Sequence, residues 1–573
     1  MDFFDNCRER ILSDLYADLI VDFMPPAGTV FPEQIEDYCY VSVGDYNLIY
    51  VNRASIPPFS MDLYSYVSTP NLYGLMQNAF DPVSLEVSGI LQVQRPPLSL
   101  DGRGVIIAII DTGIDYTLDI FKDSNGESRI LSIWDQGEES GIAPEGFLYG
   151  SEYSRAQINE ALRSENPYDV VPSRDELRHG TSMAGVAAGS RIDGGNTYVG
   201  AAPAADIVVV KLKQCKPYLR DFYLIPDDVP AYSESDVMLG IKYAESFAVA
   251  FERPVVICLG IGTNQGNHAG TSALARYISQ VASTRNCAVV VGGGNEGNAA
   301  HHFAGKLRTG SNDLTNFQDV EIRVGSGVRG FVLEMWGNVT DTFYISIRSP
   351  GGETVQPTRI RSGRGGGSYG FVFEETRITI DSILVEHSTG EELIVMRFEA
   401  PTEGIWNIRV LAQGEVYNGV YHMWLPIRQF MTGEVYFLRP DPYITMTEPA
   451  FAENALSVST YNDRNNSFYQ ESGRGFAKDE RIKPDIAAPG VNISTIYGTQ
   501  TGGSLAAAIT AGAVAQFMQW AVVEGKRPLV EGVEITSYFI RGASREGNLE
   551  YPNREWGYGS LNIAGTFEVI ARV

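Results

Sequence analysis

The sequence predicts an α/β protein with a parallel-sheet core, preceded by a small α+β unit and interrupted by an all-β segment. Between residues 104 and about 300, continuous apolar runs alternate with helix-like segments, which is typical of parallel strands buried on both faces. From about residue 314, many short strand-like runs follow one another without helices. The α/β pattern returns near Asn454 and continues to the C-terminus, so the β segment is an insertion.

The first 75 residues predict the α+β unit. Residues 38–43 and 48–51 read as short strands around a Gly44-Asp45 turn. Proline pairs and turns follow, and residues 73–82 show no strong period, as expected of a linker.

The core pattern has two kinds of segment. Apolar strands are predicted at 105–110, 207–210, 255–259 and 288–291. Helices are predicted between them, at 182–189, 236–247 and 273–282, and a buried helix of small and apolar residues is predicted at 505–520.

The inserted segment predicts a β-sandwich or jelly roll. Its strands are expected at 320–324, 330–335, 342–347, 370–373, 378–385, 392–398 and 406–411. The glycine-rich stretch 363–368 is expected to be a turn between two of them.

The net charge, the apolar runs and the cysteines of the chain limit the classes of function that it can have. The 573 residues carry a net charge of −26, which argues against nucleic acid or an anionic membrane surface as the main partner. The chain shows neither a signal-peptide pattern nor an uncharged apolar run of about 18 residues, so we expect no membrane span. The five cysteines match no metal spacing, and we expect free thiols in a reducing compartment.

Ser504 follows a Gly-Gly turn and begins the buried helix. At a helix start, free N–H groups and the helix dipole favour negative charge, which suits a nucleophile whose reaction develops an oxyanion. Serine is also a common N-cap, so this stretch alone leaves both interpretations open.

Asp111 ends the first apolar strand, in the tripeptide Asp-Thr-Gly, at the edge of the sheet where open parallel sheets bind ligands. A turn-capping aspartate is the alternative. An aspartic protease would need a second carboxylate to share the proton, and the sequence has one Asp-Thr-Gly and no Asp-Ser-Gly.

His179 lies at the start of a helix of small residues, which implies close approach by other elements. It is one of six histidines. The adjacent pair His301-His302 lacks the carboxylate or thiolate spacing of a metal site.

Asn295 lies in a glycine-rich loop after the strand at 288–291. Such a loop could bind phosphate, but no Gly-Lys-Ser/Thr follows it. An asparagine amide is a good oxyanion donor instead.

These residues stand in four stretches that together resemble the subtilisin-like serine proteases: IIAIIDTGID, HGTSMAG, GGNEG and GGSLAAA. The order Asp111, His179, Ser504 is the order of the triad in that family. The resemblance covers roughly residues 100–305 and 450–570 and implies a subtilisin-like core that hydrolyses peptide bonds without a cofactor.

The resemblance also implies the roles of the residues. Ser504 is the nucleophile, His179 the base, Asp111 its partner and Asn295 an oxyanion donor. The expected substrate-binding residues lie on two strands that clamp an extended peptide and on the wall of the first specificity pocket. They are Lys213, Gln214, Cys215, Leu259, Gly260, Ile261, Gly292, Gly293 and Gly294.

The layout is similar to that of the clostridial Csp germination proteases. It implies a prodomain (1–75) that acts as chaperone and inhibitor, a catalytic domain in two parts (76–310 and 446–573) and an inserted jelly roll (311–445). In that group the substrate is the precursor of a cortex-degrading hydrolase. The lack of a signal-peptide pattern favours a cytoplasmic or spore-associated protein. We expect self-cleavage within 68–81, with 73–77 the most exposed-looking part, and the prodomain as a partner retained after cleavage.

Two departures from the family pattern matter. Gly503 replaces the threonine that normally precedes the nucleophile, which predicts a slower enzyme that Gly503→Thr would accelerate. It also keeps open an inactive binding scaffold as the alternative. Asp119 could match a family calcium ligand, but the loop at 193–197 differs in length, and no metal is predicted.

Overall fold

The N-terminal unit packs one helix on a three-stranded antiparallel sheet of order β1-β3-β2. The computed structural model describes residues 3–22, 39–60, 64–76, 78–79, 85–192, 198–310, 315–358 and 364–572. Two short strands, β4 and β5, follow this sheet and pair with strands from later in the chain. The elements are α1 (Phe3–Leu12), β1 (Tyr16–Val21), β2 (Cys39–Val43), β3 (Tyr46–Asn52), β4 (Leu72–Leu75) and β5 (Asn78–Ala79).

A disulfide joins Cys7 of α1 to Cys39 of β2, with the Cα atoms 5.2 Å apart. The expectation of five free thiols is therefore wrong for this pair. The packing of the helix on the sheet brings the two cysteines together across 32 residues, which their spacing alone does not reveal.

The first part of the core supplies most of the parallel sheet and the helices on its two faces. Its strands are β6 (Ile106–Asp111), β7 (Ile130–Asp135), β8 (Ser151–Ser154), β9 (Asp206–Lys211), β10 (Tyr232–Ser233), β11 (Val255–Leu259), β12 (Ile261–Gly262) and β13 (Cys287–Gly292). Its helices are α2 (Ile90–Val93), α3 (Arg155–Arg163), α4 (His179–Ala188), α5 (Pro217–Tyr223), α6 (Glu234–Phe251) and α7 (Ala273–Ala282).

The insertion folds as two antiparallel sheets around one apolar core, and we call residues 302–437 the inserted sandwich. Its first strand begins at His302, earlier than the predicted boundary at 311. The strands are β14 (His302–Lys306), β15 (Phe317–Val324), β16 (Gly330–Gly337), β17 (Phe343–Arg348), β18 (Thr354–Thr358), β19 (Arg364–Gly370), β20 (Arg377–Ile383), β21 (Glu392–Glu399), β22 (Gly404–Ala412), β23 (Val420–Trp424) and β24 (Val435–Phe437).

The glycine-rich stretch is a strand and not the predicted turn. β19 pairs antiparallel with β20 at the edge of the six-stranded sheet, and the strand predicted at 370–373 is absent apart from its first residue. An edge strand pairs on one side only, so it tolerates glycines that pack poorly. Residue 363, the first of the predicted turn, lies outside the described residues.

The last part of the chain completes the core sheet, whose order is β26-β25-β13-β11-β6-β9-β7-β8 with β27 also on β25. Six of the neighbouring pairs, from β27 through to β7, are parallel, as the continuous apolar runs predict. The elements are β25 (Leu456–Asn462), β26 (Ser467–Phe468), β27 (Ile486–Pro489), β28 (Ile493–Thr495), β29 (Gly498–Thr501), α8 (Gly503–Met518), α9 (Gly532–Gly542) and α10 (Ile563–Arg572).

Helix α8 is apolar all round because it runs through the centre of the core. With the π-helical turn that continues it to Val523, it is long and apolar enough to cross a membrane by length and composition alone. However, 83 % of that stretch is buried inside the protein, as expected of a core helix.

Candidate active site

Three side chains that are remote in sequence meet at one end of the parallel sheet. Asp111 ends β6, His179 begins α4 and Ser504 lies in the first turn of α8. His179 Nδ1 is 2.7 Å from Asp111 Oδ1, and His179 Nε2 is 3.1 Å from Ser504 Oγ. This chain of hydrogen bonds is the geometry that a serine nucleophile and its base require.

Two glycines allow this close approach. A Cβ at Gly180 would lie 2.3 Å from the carbonyl oxygen of Gly113, so only glycine lets the start of α4 pack on the Asp-Thr-Gly loop. A Cβ at Gly260 would lie 2.9 Å from Ser504 Cβ. The small residues around the predicted triad are therefore needed for packing.

The carboxylate of Asp175 holds the start of α4, and sequence reasoning missed it. Its Oδ2 accepts hydrogen bonds from the N–H and hydroxyl of Thr181 at 2.8 and 2.6 Å. Its Oδ1 accepts from the Thr112 hydroxyl at 2.7 Å, which ties α4 to the residue after Asp111. Nothing in the spacing of Asp175 and His179 distinguishes this aspartate from a surface residue.

The environment of His179 affects its basicity in opposite directions. Burial lowers the pKa of His179, whereas the negative charge of Asp111 and its hydrogen bond raise it. Asp175 and the carbonyl of Met76 add to the raising effects, and the net pKa lies above the ordinary 6.5. The raised pKa makes the imidazole a stronger base towards the Ser504 hydroxyl.

Asn295 is fixed beside the nucleophile through its carbonyl oxygen. The N–H of Gly503 donates to Asn295 Oδ1 at 3.1 Å, which leaves the side-chain NH₂ group as the donor for an oxyanion. A Cβ at Gly503 would lie 3.3 Å from the N and O atoms of Gly294, so a larger residue there requires a small shift of this loop. The effect of Gly503→Thr stays a prediction.

The chain between the N-terminal unit and the core runs through the site as an extended strand. Leu72 and Tyr73 of β4 pair antiparallel with β10, and Gly74 and Leu75 pair antiparallel with β12. Beyond the site, β5 pairs antiparallel with β29, just before α8. The segment thus lies as a peptide substrate would, by addition of a strand.

Met76 is the residue of this segment that reaches the nucleophile. Ser504 Oγ donates a hydrogen bond to the carbonyl oxygen of Met76 at 2.7 Å. The Met76 side chain is buried, with its sulfur 3.7 Å from Thr447 Oγ1. Met76 falls inside the predicted cleavage range 73–77; Gln77 lies outside the described residues.

The predicted pocket glycines lie around Met76. A Cβ at Gly292 would be 3.1 Å from Met76 Cε, and a Cβ at Gly294 would be 2.6 Å from Thr447 Oγ1. Gly293 lies between them, where its N–H bonds to the Val458 carbonyl at 2.8 Å.

Of the two strands predicted to bind an extended peptide, one lies beside β4 and the other does not. Ile261 lies on β12 opposite Leu75, and Leu259 and Gly260 lead into it. The other side of the segment pairs with Tyr232 and Ser233, and not with residues 213–215.

Lys213, Gln214 and Cys215 lie behind this strand and bond to other residues. Lys213 forms a buried ion pair with Asp236 at 2.7 Å. Gln214 Oε1 accepts from the Ala231 N–H at 3.1 Å, and the Cys215 N–H donates to the Ala231 carbonyl at 2.8 Å. The expectation of a substrate-pairing strand at 213–215 is therefore corrected to β10, whose two residues give no strand signal in the sequence.

No metal ligand set is found among the described residues, where no group of three or more His, Cys, Asp or Glu side chains converges. Asp119, the residue considered for calcium, forms an ion pair with Lys122 at 2.7 Å. The loop at 193–197 lies outside the described residues.

Comparison with known proteins agrees with the fold. The sequence profile of the subtilase family matches residues 102–317 and 443–559, which is more than half of the chain. The chain therefore belongs to the subtilase family of serine proteases, which are hydrolases.

One similar solved structure is that of the CspB protease from Clostridium perfringens. It is 30 % identical, with a TM-score of 0.74, and the match covers 86 % of this chain and 99 % of that chain. The resemblance to the Csp group is thus borne out at the level of the whole fold.

Plant subtilases match over a smaller share of this chain. The subtilisin-like protease SBT3.6 of Arabidopsis thaliana is 28 % identical over 216 residues, which is 34 % of this chain and 26 % of that protein. The subtilisin-like protease SBT3.5 of the same plant is 30 % identical over 220 residues, or 35 % and 26 % of the two chains. The chain spans about a quarter of the length of these relatives.

Proposed function

We propose that this protein is a serine endopeptidase that first cleaves its own chain after Met76. The observation that carries this proposal is the 2.7 Å hydrogen bond from Ser504 to the carbonyl of Met76, within a segment that pairs with the core before and after the site. A serine paired with a buried histidine and carboxylate has no simpler structural role at that position.

The reaction follows from the hydrogen bonds. The Ser504 hydroxyl first rotates its one hydrogen from the Met76 carbonyl oxygen towards His179 Nε2, which is 3.1 Å away. Ser504 Oγ then attacks the carbonyl carbon of Met76 while His179 Nε2 takes the hydroxyl proton. Asp111 holds the other ring nitrogen and stabilises the charged imidazole, and the Asn295 amide with the Ser504 N–H stabilises the oxyanion. His179 then donates its proton to the amine of Gln77, which leaves, and water releases Met76 from the acyl-enzyme by the same route.

The first 76 residues would then be a cleaved prodomain, one residue longer than the sequence predicts. In the uncut chain β4 pairs with β10 and β12, and we expect it to keep these hydrogen bonds after cleavage, so that the prodomain occupies the cleft until it leaves. We propose that it assists folding, stays bound as an inhibitor and gives way to a protein substrate.

The proposed biological role rests on the resemblance of this chain to the Csp proteases. By likeness to the Csp proteases, we propose that the substrate is the precursor of a hydrolase activated in spore germination. A cytoplasmic or spore-associated location belongs to the same proposal.

Intact-mass analysis of the wild type and of Ser504→Ala tests the self-cleavage. We expect the wild type to divide into a fragment ending at Met76 and one beginning at Gln77, and Ser504→Ala to remain at 62.8 kDa. Ser467→Ala, an exposed serine of β26, is the matched control and should divide like the wild type. Cleavage of Ser504→Ala at the same bond would show that another agent cuts the chain.

The alternative function is a binding scaffold without activity, which Gly503 in place of threonine favours. Such a scaffold would keep the wild-type chain intact, and a fluorophosphonate would not label Ser504 after the N-terminal segment has been displaced. A divided wild-type chain with a labelled Ser504 excludes this alternative.

A further inference from the structure

The inserted sandwich reaches into the cleft next to the segment that occupies it. Residues 427–430, which include a 3-10 helix at Arg428–Phe430, follow β23 and lie beside Gly74. We call residues 427–430 the wall segment. The side chains of Ile427 and Phe430 are 5 % and 2 % exposed, so they are buried against their surroundings.

The wall segment leaves no room for a side chain at residue 74. A Cβ at Gly74 would lie 2.6 Å from Ile427 Cδ1, 3.0 Å from Gln429 Oε1 and 3.1 Å from Phe430 Cε1. The contact with Ile427 Cδ1 is the shortest, so a side chain at residue 74 would have to displace Ile427 first. Any larger residue there would overpack the contact.

The same segment binds the main chain one residue further on. The side-chain amide of Gln429 donates a hydrogen bond to the carbonyl oxygen of Leu75. On its other side Leu75 is opposite Ile261 of β12. The extended segment is therefore held between the core and the inserted sandwich.

A buried carboxyl group fixes the wall segment to the glycine-rich loop that carries Asn295. The N–H of Arg428 donates to Glu296 Oε1 at 3.1 Å, and Glu296 directly follows Asn295. Glu296 Oε2 also bonds to His301 Nδ1 at 2.6 Å and to Asn264 Nδ2 at 3.1 Å. Withdrawal of the wall segment would break the hydrogen bond from Arg428 to a buried carboxyl group, which is costly.

We propose that the inserted sandwich forms the third subsite of the cleft and selects glycine there. The substrate class is an extended peptide with glycine two residues before the residue whose carbonyl is attacked, as in the Tyr-Gly-Leu-Met sequence that ends at Met76. The inference rests on the proposed endopeptidase function, and it assigns the insertion a role in specificity in addition to packing.

Self-cleavage in the full chain gives the first test. We expect Gly74→Val to slow cleavage after Met76 by about 10- to 100-fold, which corresponds to an overpacked contact. Gly74→Val with Ile427→Ala should recover most of the loss, because the contact with Ile427 Cδ1 is the shortest of the three. Gly547→Val is the matched control, since a Cβ there meets nothing within 4 Å.

Peptide cleavage in trans separates specificity from docking of the prodomain. The processed enzyme, freed of its prodomain, is given peptides of residues 71–78 with Gly, Ala or Val at position 74. We expect kcat/KM to fall in that order by a total of about 10- to 100-fold, and Ile427→Ala to reduce the difference.

The outcomes are distinguishable. If the wild type cuts its own chain and cuts the Gly and Val peptides equally well, the inference is wrong and the proposed function stands. If Ile427→Ala leaves the preference unchanged, the wall segment does not select glycine. A wild-type chain that neither divides nor cuts the Gly peptide overturns both.

Discussion

At the residue scale, His179 combines two opposing influences whose balance depends on Asp111. Burial lowers the pKa of His179, and Asp111 raises it by charge and hydrogen bonding to a net value above 6.5. Self-cleavage needs the neutral imidazole, so its rate should fall as the pH drops through this raised pKa. The midpoint of the acid limb is therefore expected above pH 6.5.

Asp111→Asn should change both the rate and the midpoint. Without the charge, burial dominates, and the acid limb should move below pH 6.5, while the rate falls on the order of 10⁴-fold through loss of the correct tautomer. The measurement is the fraction cleaved against time after refolding at a series of pH values. Asp119→Asn, at an exposed aspartate nearby, should keep the wild-type profile; an unmoved midpoint in Asp111→Asn would contradict the assignment.

Asn295→Ala should slow self-cleavage by roughly 10² to 10³-fold with little change in stability, because the amide is needed only when the oxyanion forms. The rate is again followed by intact mass. Asn166→Ala removes an exposed asparagine and serves as the control. A loss below about threefold would show that the Ser504 N–H supplies the oxyanion stabilisation without Asn295.

That Asp111, His179, Ser504 and Asn295 lie close together could be expected because each stands in a local motif whose neighbours are small for packing reasons. A Cβ at Gly180, for example, would lie 2.3 Å from the carbonyl oxygen of Gly113. Asp175 and Met76 could not be assigned. Their importance arises from hydrogen bonds to residues that only the folded chain brings near, and neither has a composition signal of its own.

At the scale of the elements, apolar runs predicted the buried strands well, since strands such as β11 are hydrophobic on both faces. The same reasoning failed for β10 and β19, which have few apolar residues. β10 forms because β4 pairs with it, and β19 forms because the edge of a sheet is available. Pairing of this kind depends on tertiary structure and leaves no periodic signal.

Docking of β1 on the core depends on a buried ion pair. Asp18 Oδ1 is 2.6 Å from Lys216 Nζ, and the two side chains are nearly inaccessible to solvent. Lys216 also donates to the carbonyl of Tyr16 at 3.0 Å. Loss of one partner would leave the other charge buried and unpaired, which typically costs about 3–5 kcal/mol.

Asp18→Ala is therefore expected to weaken binding of the cleaved prodomain by at least about 100-fold. The measurement is co-elution of the N-terminal fragment with the core on size exclusion at decreasing protein concentration. Asp14→Ala, an exposed aspartate just before β1, should co-elute like the wild type. Equal retention in Asp18→Ala would show that the β4 pairing alone holds the prodomain.

At the scale of the whole molecule, buried carboxyls lie where the three parts of the chain meet. Glu234 of α6 accepts the N–H of Asn71 at 3.0 Å, and Glu334 of the inserted sandwich accepts the Tyr66 hydroxyl at 3.0 Å and the Gly266 N–H at 3.0 Å. Burial raises the pKa of both carboxyls to about 7. It also raises the pKa of Glu392 and Glu448 to about 8.

These raised values predict that the folded protein loses stability as the pH rises from 6.5 to about 8. In the unfolded chain the carboxyls titrate near 4.5, so in this window only the folded state holds their protons, and it must release them as the pH passes 7 and 8. The loss should amount to a few kcal/mol in total. Burial lowers the pKa values of His268 and His302 to about 3. These histidines oppose the loss of stability with rising pH only below pH 6.5, where the unfolded chain binds protons that the folded protein does not.

The melting temperature of Ser504→Ala, which cannot divide itself, is the appropriate measurement across this range. It should fall from pH 6.5 to about 8 and then level off, and Glu448→Gln in the same background should show a shallower fall, since an amide carries no titrating proton. Glu453→Gln, at an exposed position on the same stretch of chain, should keep the full slope. A melting temperature that is flat or rises between pH 6.5 and 8 would mean that these carboxyls are already ionised inside the folded protein, held by the N–H donors of Asn71, Gly266 and their neighbours.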